Sequence, residues 1–203
     1  MKRRSRGFTV MELLVTLAVA AVLLGVGVPS FRDFMRNGRL TGAANDLLIT
    51  IVTARNEAVR RQTVVSICPT TTPETPDTAN CTAGATQGWI AFIDADSSCQ
   101  RDGAELADNQ NVVATMAKHS LVTTTKNGSC ISFAANGFRR VVTGQPNTLR
   151  VMFCDSRGIN PIYAGMPAAT AISFARGLEV LPTGRASVSR LNQELGGWGV
   201  ACP

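Results

Sequence analysis

Residues 7–28 read GFTVMELLVTLAVAAVLLGVGV and carry a single charge, Glu12, among apolar and small side chains. As an α-helix, the 21 residues of the apolar run 8–28 would span about 30 Å, the thickness of a bilayer's hydrocarbon core. Basic residues precede this run at Lys2, Arg3, Arg4 and Arg6. Because positively charged flanks stay in the cytoplasm, the pattern predicts a membrane helix with everything after Pro29 on the outer side.

Glu12 is an unusual residue for a membrane segment. An unpaired carboxylate in hydrocarbon costs about 2.5–3.5 kcal/mol on insertion scales, so an intramembrane acid indicates a partner or a function. An ordinary signal peptide has a shorter apolar run that ends at a small-residue cleavage site, to which residues 26–29, VGVP, are a poor match. A signal peptide and a plain one-pass anchor stay as alternatives, but neither explains the acid.

The stretch GFTVMELL at 7–14, behind its basic leader, resembles the class III signal of type IV prepilins. The resemblance implies that a prepilin peptidase cleaves between Gly7 and Phe8 and methylates the new amino group of Phe8. It also implies that Glu12 neutralises the Phe8 ammonium of a neighbouring subunit in the filament core. Without the acid that ammonium would be buried unpaired, so Glu12→Val is expected to permit cleavage and weaken assembly.

A second helical segment is expected after Pro29, which removes a helix hydrogen bond and should kink or loosen the helix. An apolar stripe in this segment recurs at alternating spacings of four and three residues, typical of a helix with one buried face. The stripe comprises Leu40, Ala44, Leu47, Ile51, Ala54 and Ala58.

After Arg61, short β-branched and aromatic runs alternate with turn-rich segments, a pattern typical of strands. The runs lie at 63–69, 88–94, 129–135, 148–154, 170–174, 178–181, 186–191 and 198–202. Residues 69–87 between the first two are rich in Thr and Pro, which indicates a surface loop. A long helix followed by antiparallel strands predicts an α+β fold in which a β-sheet or sandwich covers the helix stripe.

The expected organisation has four parts: a cleaved basic leader at 1–7, a transmembrane and filament-core helix at 8–29, an amphipathic continuation at 30–62, and a β-rich periplasmic pilin domain at 63–203. Four of the positive charges lie in the leader, so cleavage would lower the formal net charge from +6 to +2. The basic composition therefore reflects targeting more than a polyanionic partner.

The globular region carries a second resemblance. The arrangement of IC at 67–68, GWIAFIDAD at 88–96, ISFAANGFRR at 131–140 and a final cysteine at 202 resembles the H-type pseudopilins (GspH) of type II secretion and the FimT-like minor pilins. It implies a minor pilin, anchored in the bacterial inner membrane by one pass, that initiates or stabilises a type IV pilus. Its partners would be a prepilin peptidase and other major and minor pilins; an H-type pseudopilin of type II secretion is the alternative.

Six cysteines stand at 68, 81, 99, 130, 154 and 202, and no two have C-x-x-C spacing. In an exported chain such cysteines favour structural disulfides over zinc ligands. Six cysteines allow fifteen connectivities, among which sequence cannot choose. Short loops favour Cys68–Cys81 and Cys99–Cys130, which would leave Cys154–Cys202 to hold the C-terminus.

The sequence predicts a structural subunit rather than an enzyme, with no cofactor. His119 is the single histidine, and no nucleophile-elbow or metalloprotease motif is present. Hard oxygen ligands suited to calcium occur at Asp94, Asp96, Asp102 and Glu105, without the spacing of an EF-hand. A polar loop after the strand at 88–94 is the preferred interpretation, with no metal site.

DNA binding is a further alternative. FimT-like pilins that take part in DNA uptake carry a Gly-Arg-x-Arg motif, of which GRAS at 184–187 supplies only Arg185, while Arg190 lies three residues beyond the second arginine's place. Arg139, Arg140 and Arg176 would extend a basic patch if the fold gathers them. Arginines on a solvated strand edge are the competing interpretation.

Overall fold

The computed structural model describes residues 7–82, 88–101, 103, 105, 111–119, 122–163, 165–167, 170–200 and 202. The chain divides into two compact units, Met1–Gly38 and Arg39–Pro203. Among the described residues the elements are α1 (Val10–Arg61), β1 (Val65–Thr70), β2 (Gly88–Ile93), β3 (Val112–Ala117), β4 (Thr123–Lys126), β5 (Ile131–Phe133), β6 (Arg139–Arg140), β7 (Leu149–Cys154), β8 (Ile172–Val180), β9 (Ala186–Leu191) and α2 (Asn192–Gly196).

The first unit contains the N-terminal part of α1. The helix begins just after Thr9, whose Oγ1 accepts a hydrogen bond of 3.2 Å from the backbone N–H of Glu12. Pro29 lies inside α1 and does not end it. The helix is long and apolar enough to cross a membrane by length and composition.

The second unit is built around the C-terminal part of α1. All six residues of the predicted apolar stripe are buried, because their spacing places them on one helix face. They form a single core cluster with side chains from both sheets, including Ile67 and Phe133 from one sheet and Val151 and Leu178 from the other. The predicted α+β architecture, a long helix packed on antiparallel sheets, is confirmed.

The strands form two antiparallel sheets. The five-stranded sheet has the order β3-β2-β1-β5-β6, and the four-stranded sheet has the order β4-β7-β8-β9. Strand β1 pairs with β2 and β5, so that Ile67 lies opposite Ala91 on one side and Ile131 on the other. Every residue of β1 is buried, as expected of a central strand with covered faces.

Several strand predictions need correction. The predicted strands at 170–174 and 178–181 are one strand, β8, whose register shifts between Ile172 and Gly177. The segment predicted as a strand at 198–202 is not one within its described residues: α2 precedes it, and Gly199 has a φ of +67°. Trp198 and Val200 instead pack with Leu195 in a separate small core. Strands β3, β4 and β6 were not predicted from the sequence; each lies at the edge of a sheet.

The structure joins the cysteines as Cys68–Cys81, Cys99–Cys130 and Cys154–Cys202, with Cα–Cα distances of 5.4, 6.2 and 5.8 Å. The first bridge ties the segment that follows β1 back to that strand. The third connects β7 to the C-terminal segment, 48 residues later in sequence. Each bridge therefore fixes a loop or terminus that has little regular structure of its own.

Candidate functional site

The N-terminal helix presents a continuous apolar surface. Every residue of the apolar run 8–28 is exposed, and Phe8 at the start of the run is 77% exposed. Exposure of an apolar surface of this size to water is unfavourable, and such surfaces mark membrane or protein contacts. This part of α1 is therefore suited to lipid, and to packing against the corresponding helices of other subunits.

The residues of the expected cleavage site precede the helix. Gly7, Phe8 and Thr9 have no regular secondary structure, and α1 begins at Val10; leader residues 1–6 lie outside the described residues. Thr9 and Glu12 have the T-x-x-E spacing of a helix capping box, and the bond from the Glu12 N–H to Thr9 Oγ1 is half of that motif. The T-x-x-E spacing marks the start of α1 in the sequence, a signal that the sequence-based prediction did not use.

Glu12 occupies the first turn of α1. No ion pair joins it to another residue in the part of the chain that the structure describes. A helix N-terminus carries partial positive charge, and cleavage after Gly7 would add the ammonium of Phe8. The carboxylate is the one negative group available there for balancing this charge within the apolar segment 8–28.

Two of the arginines expected to extend a basic patch are inside the protein, so that part of the patch prediction is wrong. Arg139 and Arg176 are 5% and 3% exposed. Arg139 donates to the carbonyls of Pro146 and Asn147, and Arg176 donates through Nη1 to the carbonyls of residues 173–175. Burial lowers the pKa of Arg176 to about 10, which keeps it charged at neutral pH. Both guanidiniums bind backbone carbonyls and are not accessible to phosphates.

Arg185 and Arg190 are exposed; Arg185 immediately precedes β9, and Arg190 lies near the end of that strand. The two arginines are five positions apart in sequence, whereas those of a Gly-Arg-x-Arg motif are two positions apart. DNA binding through them stays a prediction.

His119 forms a surface pair with α1. Its Nε2 lies 2.6 Å from Asp46 Oδ2, at a groove of about 650 Å³ lined by α1 and β3 residues such as Thr50, Thr53 and Met116. No serine or cysteine of the groove stands beside the imidazole as a nucleophile would. The arrangement is that of a contact between helix and sheet edge.

The segment after β2 contains the acidic residues that were considered as calcium ligands but interpreted as a polar loop. Oxygens of Asp94, Asp96 and Glu105 lie within 4.8 Å of one another; Asp102 lies outside the described residues. Burial raises the pKa of Asp94, which is fully buried, and that of Glu105. The structure thus brings three carboxylates of this segment together.

Comparison with known proteins identifies both parts of the chain. A family model described as type II transport protein GspH matches residues 43–184, more than half of the chain, and one described as prokaryotic N-terminal methylation motif matches residues 2–28. The prepilin peptidase-dependent protein D of Escherichia coli (strain K12) is 34% identical over 65 residues, which are 32% of this chain and 37% of that protein. The matched stretch thus spans about a third of the length of this curated relative.

A solved structure shares the fold. The crystal structure of the type IV minor pilin FimU of Pseudomonas aeruginosa in space group P21 has a TM-score of 0.50 and 16% identity, covering 77% of this chain and 92% of that chain. In space group P65 the same pilin has a TM-score of 0.47 and 17% identity, covering 74% and 92%. At these identities the likeness concerns the fold.

The methylation motif implies processing by a prepilin peptidase and assembly with other pilins or pseudopilins. With the apolar helix it indicates anchoring in the inner membrane and a globular part in the periplasm. The matched family consists of structural subunits. The chain therefore belongs to the family of the type II transport protein GspH and is a minor pilin or pseudopilin.

Proposed function

We propose that this chain is a single-pass minor pilin that initiates or stabilises a type IV pilus and stays in the filament after assembly. The observation that carries the proposal is the exposed apolar surface of residues 8–28 in the same chain as a GspH-type domain. Such a helix can be held by the membrane before assembly and by neighbouring helices afterwards. The globular domain would then be displayed on the filament.

Processing is the first step of the proposal. A prepilin peptidase would cleave between Gly7 and Phe8, where the backbone is not yet helical, and would methylate the new amino group of Phe8. The cleavage would remove the basic leader that holds the N-terminus at the cytoplasmic face. The apolar helix would remain attached to the periplasmic domain.

Charge pairing is the second step. In the filament core the Phe8 ammonium of one subunit would pair with the Glu12 carboxylate of its neighbour. An unpaired ion in that apolar environment is costly, so the pair would select one axial position of the incoming subunit. The proposed role is mechanical rather than catalytic.

The experiment is a comparison of pili sheared from cells that lack the gene with pili from a complemented strain. Loss of surface pilin that complementation restores would support an assembly role in a type IV pilus. Unchanged pili, together with loss of a secreted protein from the culture medium, would contradict the proposal and favour a pseudopilin of type II secretion. Immunoblotting of the membrane fraction provides the control that the complementing protein is made.

A further inference from the structure

Three carboxylates converge in the segment that follows β2. Asp94 has no exposed surface and Glu105 is 7% exposed, whereas Asp96 is exposed. One oxygen from each lies within 4.8 Å of the others. Like charges at this separation repel, and the repulsion is stronger where burial lowers the local dielectric.

The two buried carboxylates are each satisfied on one oxygen only. Asp94 Oδ2 accepts hydrogen bonds from Ser66 Oγ and from the Cys99 N–H, and Glu105 Oε1 accepts one from the Ala95 N–H. Asp94 Oδ1 and Glu105 Oε2 are buried and have no hydrogen-bond partner among the described residues. A buried oxygen without a partner is uncommon and costs about 1–3 kcal/mol, more when charged.

Arginine and lysine side chains of the described residues do not pair directly with these carboxylates. No ion pair there involves Asp94, Asp96 or Glu105. The Arg140 guanidinium approaches the same region, but its Nη1 contacts Ser132 Oγ at 3.4 Å and the Ser97 carbonyl at 3.5 Å. The cluster therefore has two buried oxygens without a hydrogen-bond partner and no direct ion-pair partner among the described residues.

We propose that Asp94, Asp96 and Glu105 form a binding site for a divalent cation, Ca²⁺. Calcium accepts oxygen ligands at about 2.3–2.6 Å, so two ligands of one ion are at most about 5 Å apart. The 4.8 Å limit within the cluster fits that range. Mg²⁺, with ligands at about 2.0–2.1 Å, would need a tighter set.

The surrounding structure holds these ligands in place. Asp94 is fixed by Ser66 of β1, and the Cys99–Cys130 disulfide joins the loop to the residue that precedes β5. Three carboxylates leave the remaining coordination positions to backbone oxygens or water. Calcium sites of extracellular modules have dissociation constants of about 10⁻⁴–10⁻³ M, and this range is expected here.

The test is a calorimetric titration of the purified full chain in detergent, treated with a chelator and dialysed, with CaCl₂. We expect about one Ca²⁺ per chain in the affinity range of such sites, and a higher Tm in calcium than in chelator because a ligand that binds only the folded state stabilises it. Asp96→Asn should weaken binding at least about tenfold, since it removes one charged ligand. Glu105→Gln should do the same.

Asp77→Asn is the matched control, because Asp77 is an exposed aspartate outside the cluster; its affinity for calcium should stay within about twofold of the unmodified chain. The proposal is overturned if CaCl₂ up to about 10 mM, well above the expected range, gives no binding. It is equally overturned if Asp96→Asn binds calcium as tightly as the unmodified chain, since the ion would then lie elsewhere.

Discussion

The Arg55 Nε–H donates to the Gly137 carbonyl oxygen at 2.9 Å and joins α1 to the turn before β6, 82 residues later in sequence. The turn between β8 and β9 meets the same carbonyl. A Cβ atom placed on Gly184 would lie 2.4 Å from Gly137 O. The helix and two turns from different sheets therefore meet at one backbone oxygen.

Replacing Gly184 with alanine should destabilise the domain strongly. Gly184 has a φ of +78°, so alanine adds backbone strain of about 1–2 kcal/mol to a collision with a backbone atom. Gly158→Ala is the matched control, because Gly158 has a φ of +65° but nothing within 4 Å of a new Cβ. Thermal unfolding should show the larger loss of Tm for Gly184→Ala. Equal losses of Tm in the two variants would mean that the contact between the new Cβ and the Gly137 carbonyl oxygen is relieved without loss of stability.

The disulfides should differ in their contribution to stability according to the loops they close. Cys154–Cys202 has a sequence separation of 48 and Cys68–Cys81 one of 13. Chain entropy predicts about 4 kcal/mol for the first and about 3 kcal/mol for the second. Denaturant unfolding of the two double-alanine variants should therefore give a lower midpoint for Cys154→Ala/Cys202→Ala. The reverse order would indicate that local packing outweighs loop closure.

Acid should remove a small contribution of Glu57 to the stability of the folded domain. Hydrogen bonds from Arg60, and then from Arg61, lower the pKa of Glu57 to about 2 from 4.5. Because the folded pKa is the lower one, the stabilisation is present above about pH 4.5 and is lost as the pH falls towards 2. Glu57→Gln should lower Tm slightly at pH 7 and not at pH 2. Because these side chains are partly exposed, high salt should shrink the difference.

Glu12→Val should separate processing from assembly. Mass spectrometry should still find a chain that begins with methylated Phe8, because the residues on either side of the scissile bond are unchanged. Sheared filaments should contain little of the variant, since an unpaired ammonium would enter an apolar core. Thr16→Val is the control, a polar-to-apolar change one helical turn further on; it should assemble normally. Normal incorporation of Glu12→Val would contradict the pairing.

Local patterns alone were enough for the membrane-type helix and for the apolar stripe of α1. Both depend on hydrophobicity and helical periodicity over neighbouring positions, such as the spacing from Leu40 to Ala44 and Leu47. The strands β1, β2 and β7 were predicted for a similar reason, as short runs of buried β-branched and aromatic residues. The pairing of Cys68 with Cys81 was favoured for a similar reason, because the two cysteines are close in sequence.

Tertiary structure decided which polar residues are on the surface and which meet. Arg139 and Arg185 look alike in sequence, yet one binds carbonyls inside the protein and the other is exposed. Asp94 and Glu105 come together because β1, the loop after β2 and a disulfide converge on them. The sequence by itself determined the apolar anchor helix, the buried face of α1 and several strands, because each depends on the hydrophobicity and spacing of residues close together in the chain. Whether a charged side chain is buried depends on contacts between chain segments tens of residues apart, and only the tertiary structure decides those contacts.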